Sequence, residues 1–390
     1  MGVSSLSRVP AQVVVAGGGF AALEAVLALR ALAGDGVRVT LVSPDPALAY
    51  DPAATVEVFA PAPARAYDLR AIAADLGVSY HHARLETVAS QKRRVRLGSG
   101  AGLRYDALVL ATGARATVGV PGALTFRDQR DVPRFQGLLR ELDAGAVAHL
   151  VFAVPSGCSW PLPLYELALL SAAYAHEHGV ETEIKLVSSE RRPLAVFGAD
   201  ASGLVAAELA ERGVRFIGSS AAGSVRREGS LALQFDAAIE GDRVVAAPRL
   251  RGQPISGVPA SRLGFVPTDA AGRVEGMVDV YAAGDMTTFP IKQGGLATQQ
   301  ADRIAHTIAA GLGLTARELR AKRVLEVRLV GGQRPLLLRI ELDEFGQPTT
   351  ATLAHVGSER APGWTKVFGR YLTPYLETRQ PLARSPLDAS

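Results

Sequence analysis

Cysteine is almost missing from this sequence of 390 residues: Cys158 is the only one. A single thiol excludes an intramolecular disulfide, any CxxC pair and every cysteine-rich zinc or iron–sulfur site. An excess of one charge is missing too. Lys and Arg number 42 against 38 Asp and Glu, a formal charge of +4, and the two signs are interspersed, so no nucleic-acid partner is indicated. Apolar runs are no longer than a strand: residues 146–154, interrupted by His149, fall well short of the roughly 20 needed to span a bilayer. Residues 1–10 lack the basic-then-apolar profile of a signal peptide, and the expected location is the cytoplasm. Histidines form no metal constellation: His176 and His178 are two apart on an expected helix, and His81 and His82 diverge on an expected strand. No Ser–His–Asp spacing argues for a hydrolase. The 48% hydrophobic content excludes a disordered chain, and the length suits two or three domains.

What is present begins with Val13, Val14, Val15 and Ala16, a buried-strand run. It leads directly into Gly17-Gly18-Gly19-Phe20-Ala21-Ala22 and an apolar helix ending near Ala33. Gly34-Asp35-Gly36 then turns the chain into a second strand over 37–42. This is a strand–turn–helix–strand unit with G-x-G-x-x-A at its turn. Gly17 allows the tight turn, Gly19 leaves room for a pyrophosphate at the helix N-terminus, and Ala22 lets the helix pack on the strand. The acidic residue expected after the second strand is replaced by Ser43, so Ser43 or Asp45 is left to bond a ribose.

Two further strand ends can converge on that loop, because ligands of open α/β sheets lie beyond the strand C-termini. Residues 105–114 run as a strand into Ala111-Thr112-Gly113, and residues 280–283 run into Gly284-Asp285. With these motifs the chain resembles the FAD-dependent pyridine nucleotide-disulfide oxidoreductase-like flavoproteins. That group holds two dinucleotide-binding domains and includes disulfide reductases, type II NADH dehydrogenases and sulfide:quinone oxidoreductases. The resemblance implies an FAD site in which Asp285 bonds the ribitol and residues 111–113 line the dinucleotide. It also implies an α/β fold of two Rossmann-like domains, the second inserted in the first, with a C-terminal α+β cap. The expected boundaries are 1–115 and 246–312 for the FAD domain, 116–245 for the insert and 313–390 for the cap. The segment Pro290-Ile291-Lys292-Gln293-Gly294-Gly295 and its following helix are similar to the sulfide:quinone oxidoreductase branch. Lys292 and the amides at Gly295 would stabilise negative charge on a reduced flavin.

A second unit repeats the first: strand 147–154, helix 162–178, strand 183–187. Aligned on Glu24 and Glu166, the positions of Gly17, Gly19 and Ala22 are taken by Ser159, Pro161 and Leu164. Proline supplies no amide and leucine blocks close helix–strand contact, so the usual NAD(P)H cradle is lost. Glu190 keeps the place of a ribose-binding acid, unless Arg191 and Arg192 simply pair with it. Cys158 and the following Pro161-Leu162-Pro163-Leu164-Tyr165-Glu166 resemble the region where sulfide:quinone oxidoreductases carry a cysteine before P-x-P-Y-E, but without a partner cysteine the polysulfide route is closed. In that resemblance Glu166 faces the flavin and relays a proton. At the C-terminus, Trp364, Val367, Phe368, Tyr371 and Leu372 share one face at helical spacing, with Lys366 and Arg370 off it. That expected helix is either a membrane-surface anchor or a packing element against the FAD domain or a second subunit.

The sequence and its resemblance together point to an FAD-dependent oxidoreductase that passes two electrons from a small donor to a quinone-like acceptor. Its alternatives are an NAD(P)H:acceptor reductase with an atypical nicotinamide site and a flavin-binding redox sensor.

Overall fold

A computed structural model describes residues 9–60, 65–226, 230–233, 238–314, 322–332, 335–350, 353–356 and 366–383. The run of Val and Ala at the start forms the strand Ala11–Ala16, centred in a five-stranded parallel sheet. Val37–Ser43 and Ser79–His82 extend the sheet on one side, and Ala107–Leu110 and Val280–Ala282 on the other. Val13 and Val15 face one side and Val14 and Ala16 the other. Both sides are covered, which is why the strand reads as continuously apolar. Two helices lie together on one side: Phe20–Ala33, which starts at the glycine loop, and Gly294–Gly311. Alanines of both helices, Ala21, Ala25, Ala297 and Ala301 among them, share one core and let the backbones approach.

A second five-stranded sheet is built from Leu124–Thr125, Arg243–Ala246, His149–Ala153, Glu183–Val187 and Val214–Ile217, all parallel. The helix Leu162–His178 packs on it through Leu164, Tyr165, Leu167, Ala168 and Leu169. A two-stranded antiparallel ribbon, Ala114–Thr117 with Arg249–Gly252, carries the chain between the two sheets. The later part forms a three-stranded antiparallel sheet of Arg323–Leu329, Leu336–Leu342 and Leu353–Val356. Alternate residues Leu325, Val327, Leu329, Leu336, Leu338, Ile340 and Leu342 are buried in the same core as the helix Leu162–His178. Both Rossmann units thus converge on the space beneath this sheet. The architecture is mixed α/β with parallel sheets in each unit.

The expected C-terminal helix is not formed as read. Residues 366–369 form no regular element, the helix is Leu372–Glu377, and Trp364 lies outside the described residues. Lys366 and Val367 spend their amides on the Tyr50 hydroxyl, and Gly369 donates to Thr373, so these bonds replace the intrahelical ladder. Pro374 sits in the first turn of the observed helix, where its missing N–H costs nothing, and does not end it. Val367, Leu372 and Leu376 are buried in the core of the first unit. They pack on protein and are not available to a membrane surface. Among the described residues no helix is long and apolar enough to cross a membrane.

Candidate active site

The glycine loop is shaped by two contacts that only glycine permits. Gly17 has φ +137°, and a Cβ there would stand 2.1 Å from the Ala111 carbonyl oxygen. Its amide donates to Val42. A Cβ on Gly18 would strike the Ser43 hydroxyl and Leu69, whereas one on Gly19 would meet nothing within 4 Å. Gly19 therefore opens onto free space. That space is two adjoining cavities, of about 450 and 470 Å³, which share Gly19, Ala111 and Gly113 as walls.

The first cavity is lined by Gly17, Gly18, Pro44, Asp45, Arg84 and Thr112. Asp45 reaches it; Ser43 does not, being fully buried with its hydroxyl bonded to the Asp45 backbone. Thr112 is held by Met286 Sδ. Ala22, fully buried, packs the helix onto the sheet.

The second cavity runs between the two units. Phe20 lines it, set edge-on to Tyr50 with ring centroids 5.5 Å apart. Gly284, Asp285, Lys292 and Gly294 form one wall; Gly295 stands one residue behind it, against the Gln293 side chain that caps the helix. Burial raises the Asp285 carboxyl above its ordinary range, while nearby Lys292 pulls it down. No hydrogen bond satisfies this carboxylate among the described residues, an arrangement suited to the hydroxyls of a bound ligand. Lys292 Nζ lies 4.3 Å from the Phe265 ring centroid and donates to the Thr287 carbonyl. Desolvation lowers its pKa to about 8 although Asp285 opposes the shift. A buried ammonium so placed is ready to receive negative charge.

The opposite wall holds Glu166 and Lys366. Lys366 Nζ donates to Glu166 Oε2 at 2.6 Å and to Thr55 Oγ1 at 2.9 Å, and Thr55 Oγ1 donates to the same Oε2 at 2.8 Å. The other carboxylate oxygen, Oε1, is buried with no partner. Glu166 is expected at the flavin from the sequence, whereas Lys366 is expected only off the apolar face of a C-terminal helix. Its partner is 200 residues away, and the one local signal was a lysine set in an otherwise apolar stretch. Cys158 is on the same cavity wall near Trp160, and burial pushes its thiol up to about 11. It is a protonated wall residue.

The second unit's loop carries none of the glycines of the first. Leu164 is buried at the third glycine position. Glu190 accepts from the Tyr165 hydroxyl at 2.7 Å, from Ser188, and from the Ala195 amide. It forms no ion pair with Arg191 or Arg192, contrary to the surface reading, because the adjacent helix turns its tyrosine onto the acid.

A sequence profile of the pyridine nucleotide-disulphide oxidoreductases matches residues 11–310. The chain belongs to that family. It is an FAD-dependent oxidoreductase, and the loop opening at Gly19, the unsatisfied Asp285 and the paired cavities fit the dinucleotide. No curated protein sequence matches it. Among solved structures it is similar to the sulfide:quinone oxidoreductase of the hyperthermophilic bacterium Aquifex aeolicus. The TM-score is 0.79 at 20% identity, over 89% of this chain and 87% of that one. It is also similar to the ferredoxin reductase of the CYP199A2 system from Rhodopseudomonas palustris, with TM-score 0.65 at 19% identity over 85% and 84% of the two chains. A NAD-dependent persulfide reductase from A. fulgidus gives TM-score 0.62 at 17% identity, over 85% of this chain and 64% of that one.

Proposed function

We propose that this flavoprotein reduces a quinone-like acceptor with electrons from a donor that is not a nicotinamide. The observation that carries the reading is the buried Glu166–Lys366–Thr55 triad on the wall of the flavin cavity. Bound FAD supplies two-electron exchange. Reduction of a quinone to a quinol also consumes two protons, and a buried cavity must provide them. Lys366 Nζ is the donor to an acceptor oxygen. Glu166 Oε2 and Thr55 Oγ1 hold that ammonium in place, and the unpartnered Oε1 is the oxygen free to take a proton in the reverse direction. Apolar residues Trp160, Leu162, Leu167, Leu250 and Val327 in the same cavity suit a ring without charge. The named activity of the Aquifex aeolicus neighbour supports a quinone acceptor. Ser159, Pro161 and Leu164 at the glycine positions of the second unit support a different donor class, and Cys158 without a second cysteine argues against sulfur relayed between thiols.

The test is single-turnover oxidation. Photoreduced holoprotein mixed anaerobically with a soluble short-chain quinone should recover oxidised-flavin absorbance rapidly. Glu166→Gln should slow that recovery by about 10²-fold or more, the usual scale of a lost proton-transfer group. Equal rates in the two proteins would exclude the triad from the proton path.

A further inference from the structure

The two glutamates that align in the two dinucleotide units reach the same piece of chain. Glu166 binds Lys366, and Glu24, fully buried in the glycine-loop helix, accepts the amides of Tyr371 at 3.0 Å and Leu372 at 2.7 Å. Between these ends, the amides of Lys366 and Val367 go to the Tyr50 hydroxyl, and Thr298 donates to the Phe368 carbonyl. Residues 366–372 are thus a strap whose backbone is held largely by side chains of other elements, and its first two residues are cavity wall. A Cβ on Gly369 would lie 2.7 Å from Glu24 Oε2, so the chain passes the carboxylate with no space to spare.

We infer that Glu24 is a positioning residue: by pinning the strap at Tyr371 and Leu372 it holds Lys366 against Glu166, and its protonation sets how firmly. The inference rests on the reading of Lys366 as the proton donor. Charged groups near Glu24 are few. Asp302, on the helix Gly294–Gly311, is the nearby acid; it faces His306 at 3.6 Å and Arg370 at 3.7 Å. Burial raises the Glu24 carboxyl to about 7, Asp302 adds to the rise, and the amides of Tyr371, Leu372 and Arg370 oppose it. In the proposal, release of the strap exposes Glu24 to water, where a carboxyl titrates at its ordinary value of 4.5. The closed strap therefore binds the proton more tightly. Its advantage is complete below about 4.5 and is lost as pH rises through about 7.

Hydrogen exchange of the holoprotein, read by mass spectrometry and corrected for intrinsic rates, tests this. In the unmutated protein, opening of the amides of 366–372 should rise roughly tenfold or more between about pH 5 and pH 8. Glu24→Gln, which cannot ionise, should flatten that dependence and also the matching step in the pH profile of quinone-driven reoxidation. Gly369→Ala, which displaces the carboxylate, should open the strap at both pH values, and it carries the test if Glu24→Gln fails to fold. The same pH-dependent opening in Glu24→Gln as in the unmutated protein would overturn the proposal. So would a strap insensitive to both pH and Gly369→Ala. A strap that behaves as stated while Glu166→Gln leaves quinone reoxidation unchanged would keep the clasp and remove only the proton-donor reading.

Discussion

Single residues in this site carry charge where burial opposes it. Lys292 is the clearest case: 7% exposed, pKa lowered to about 8 by desolvation, and set beside Asp285. A lysine whose folded pKa lies below its ordinary 10.5 destabilises the fold while it is charged, and the penalty is relieved as pH rises from about 8 toward 10.5. Lys292→Met should therefore raise the melting temperature of the apoprotein near neutral pH. It should also lower the flavin midpoint potential by roughly 30–60 mV, because the charge that favours the reduced form is gone. Melting curves and an anaerobic dye titration check the two halves; an unchanged potential would mean that the ammonium does not sense the ring. That Lys292 and Glu166 line the cavity was legible because each sits at a fixed offset from a motif. Lys366 was not. Its role depends on a partner in another domain, and no local pattern records that distance.

Elements were legible where one period and one turn agreed. The strand–glycine–helix unit at residues 11–33 was clear because a glycine run directly after an apolar strand marks a tight turn, and at Gly17 no larger residue fits. The second unit was legible through what its loop had lost, although the use of Glu190 by Tyr165 was hidden, since Tyr165 lies on a helix read mainly for its missing glycines. The strap was misread. Its apolar residues fall at helical spacing, yet Tyr50, Thr298 and Glu24 offer its backbone better partners than its own next turn. Tertiary partners override periodicity there. The Tyr165–Glu190 bond makes a prediction at this scale. Tyr165→Phe leaves a buried carboxylate short of a donor and should cost roughly 1–3 kcal/mol in urea unfolding. It should not create a response to NADH, because Pro161 and Leu164 still occupy the loop. A stability loss near zero would show that water replaces the hydroxyl and that this acid is less enclosed than the geometry indicates.

Among the described residues, two Rossmann units, an antiparallel cap sheet and one C-terminal strap surround the two adjoining cavities. One unit presents an open glycine loop and an unsatisfied acid; the other presents Glu166 to Thr55 of the first unit and to Lys366 of the strap. The chain's fold is that of a family built on two dinucleotides, but its chemistry as read here uses one. That division is tested most directly by anaerobic stopped-flow mixing of the oxidised holoprotein with NADH and, separately, NADPH. A photoreduction control shows that the same sample can bleach. The account predicts no bleaching by either nucleotide on the timescale at which the photoreduced protein is reoxidised by quinone. Rapid, saturable bleaching by NADH or NADPH would contradict it, and would mean that the second unit binds a nicotinamide despite Ser159, Pro161 and Leu164.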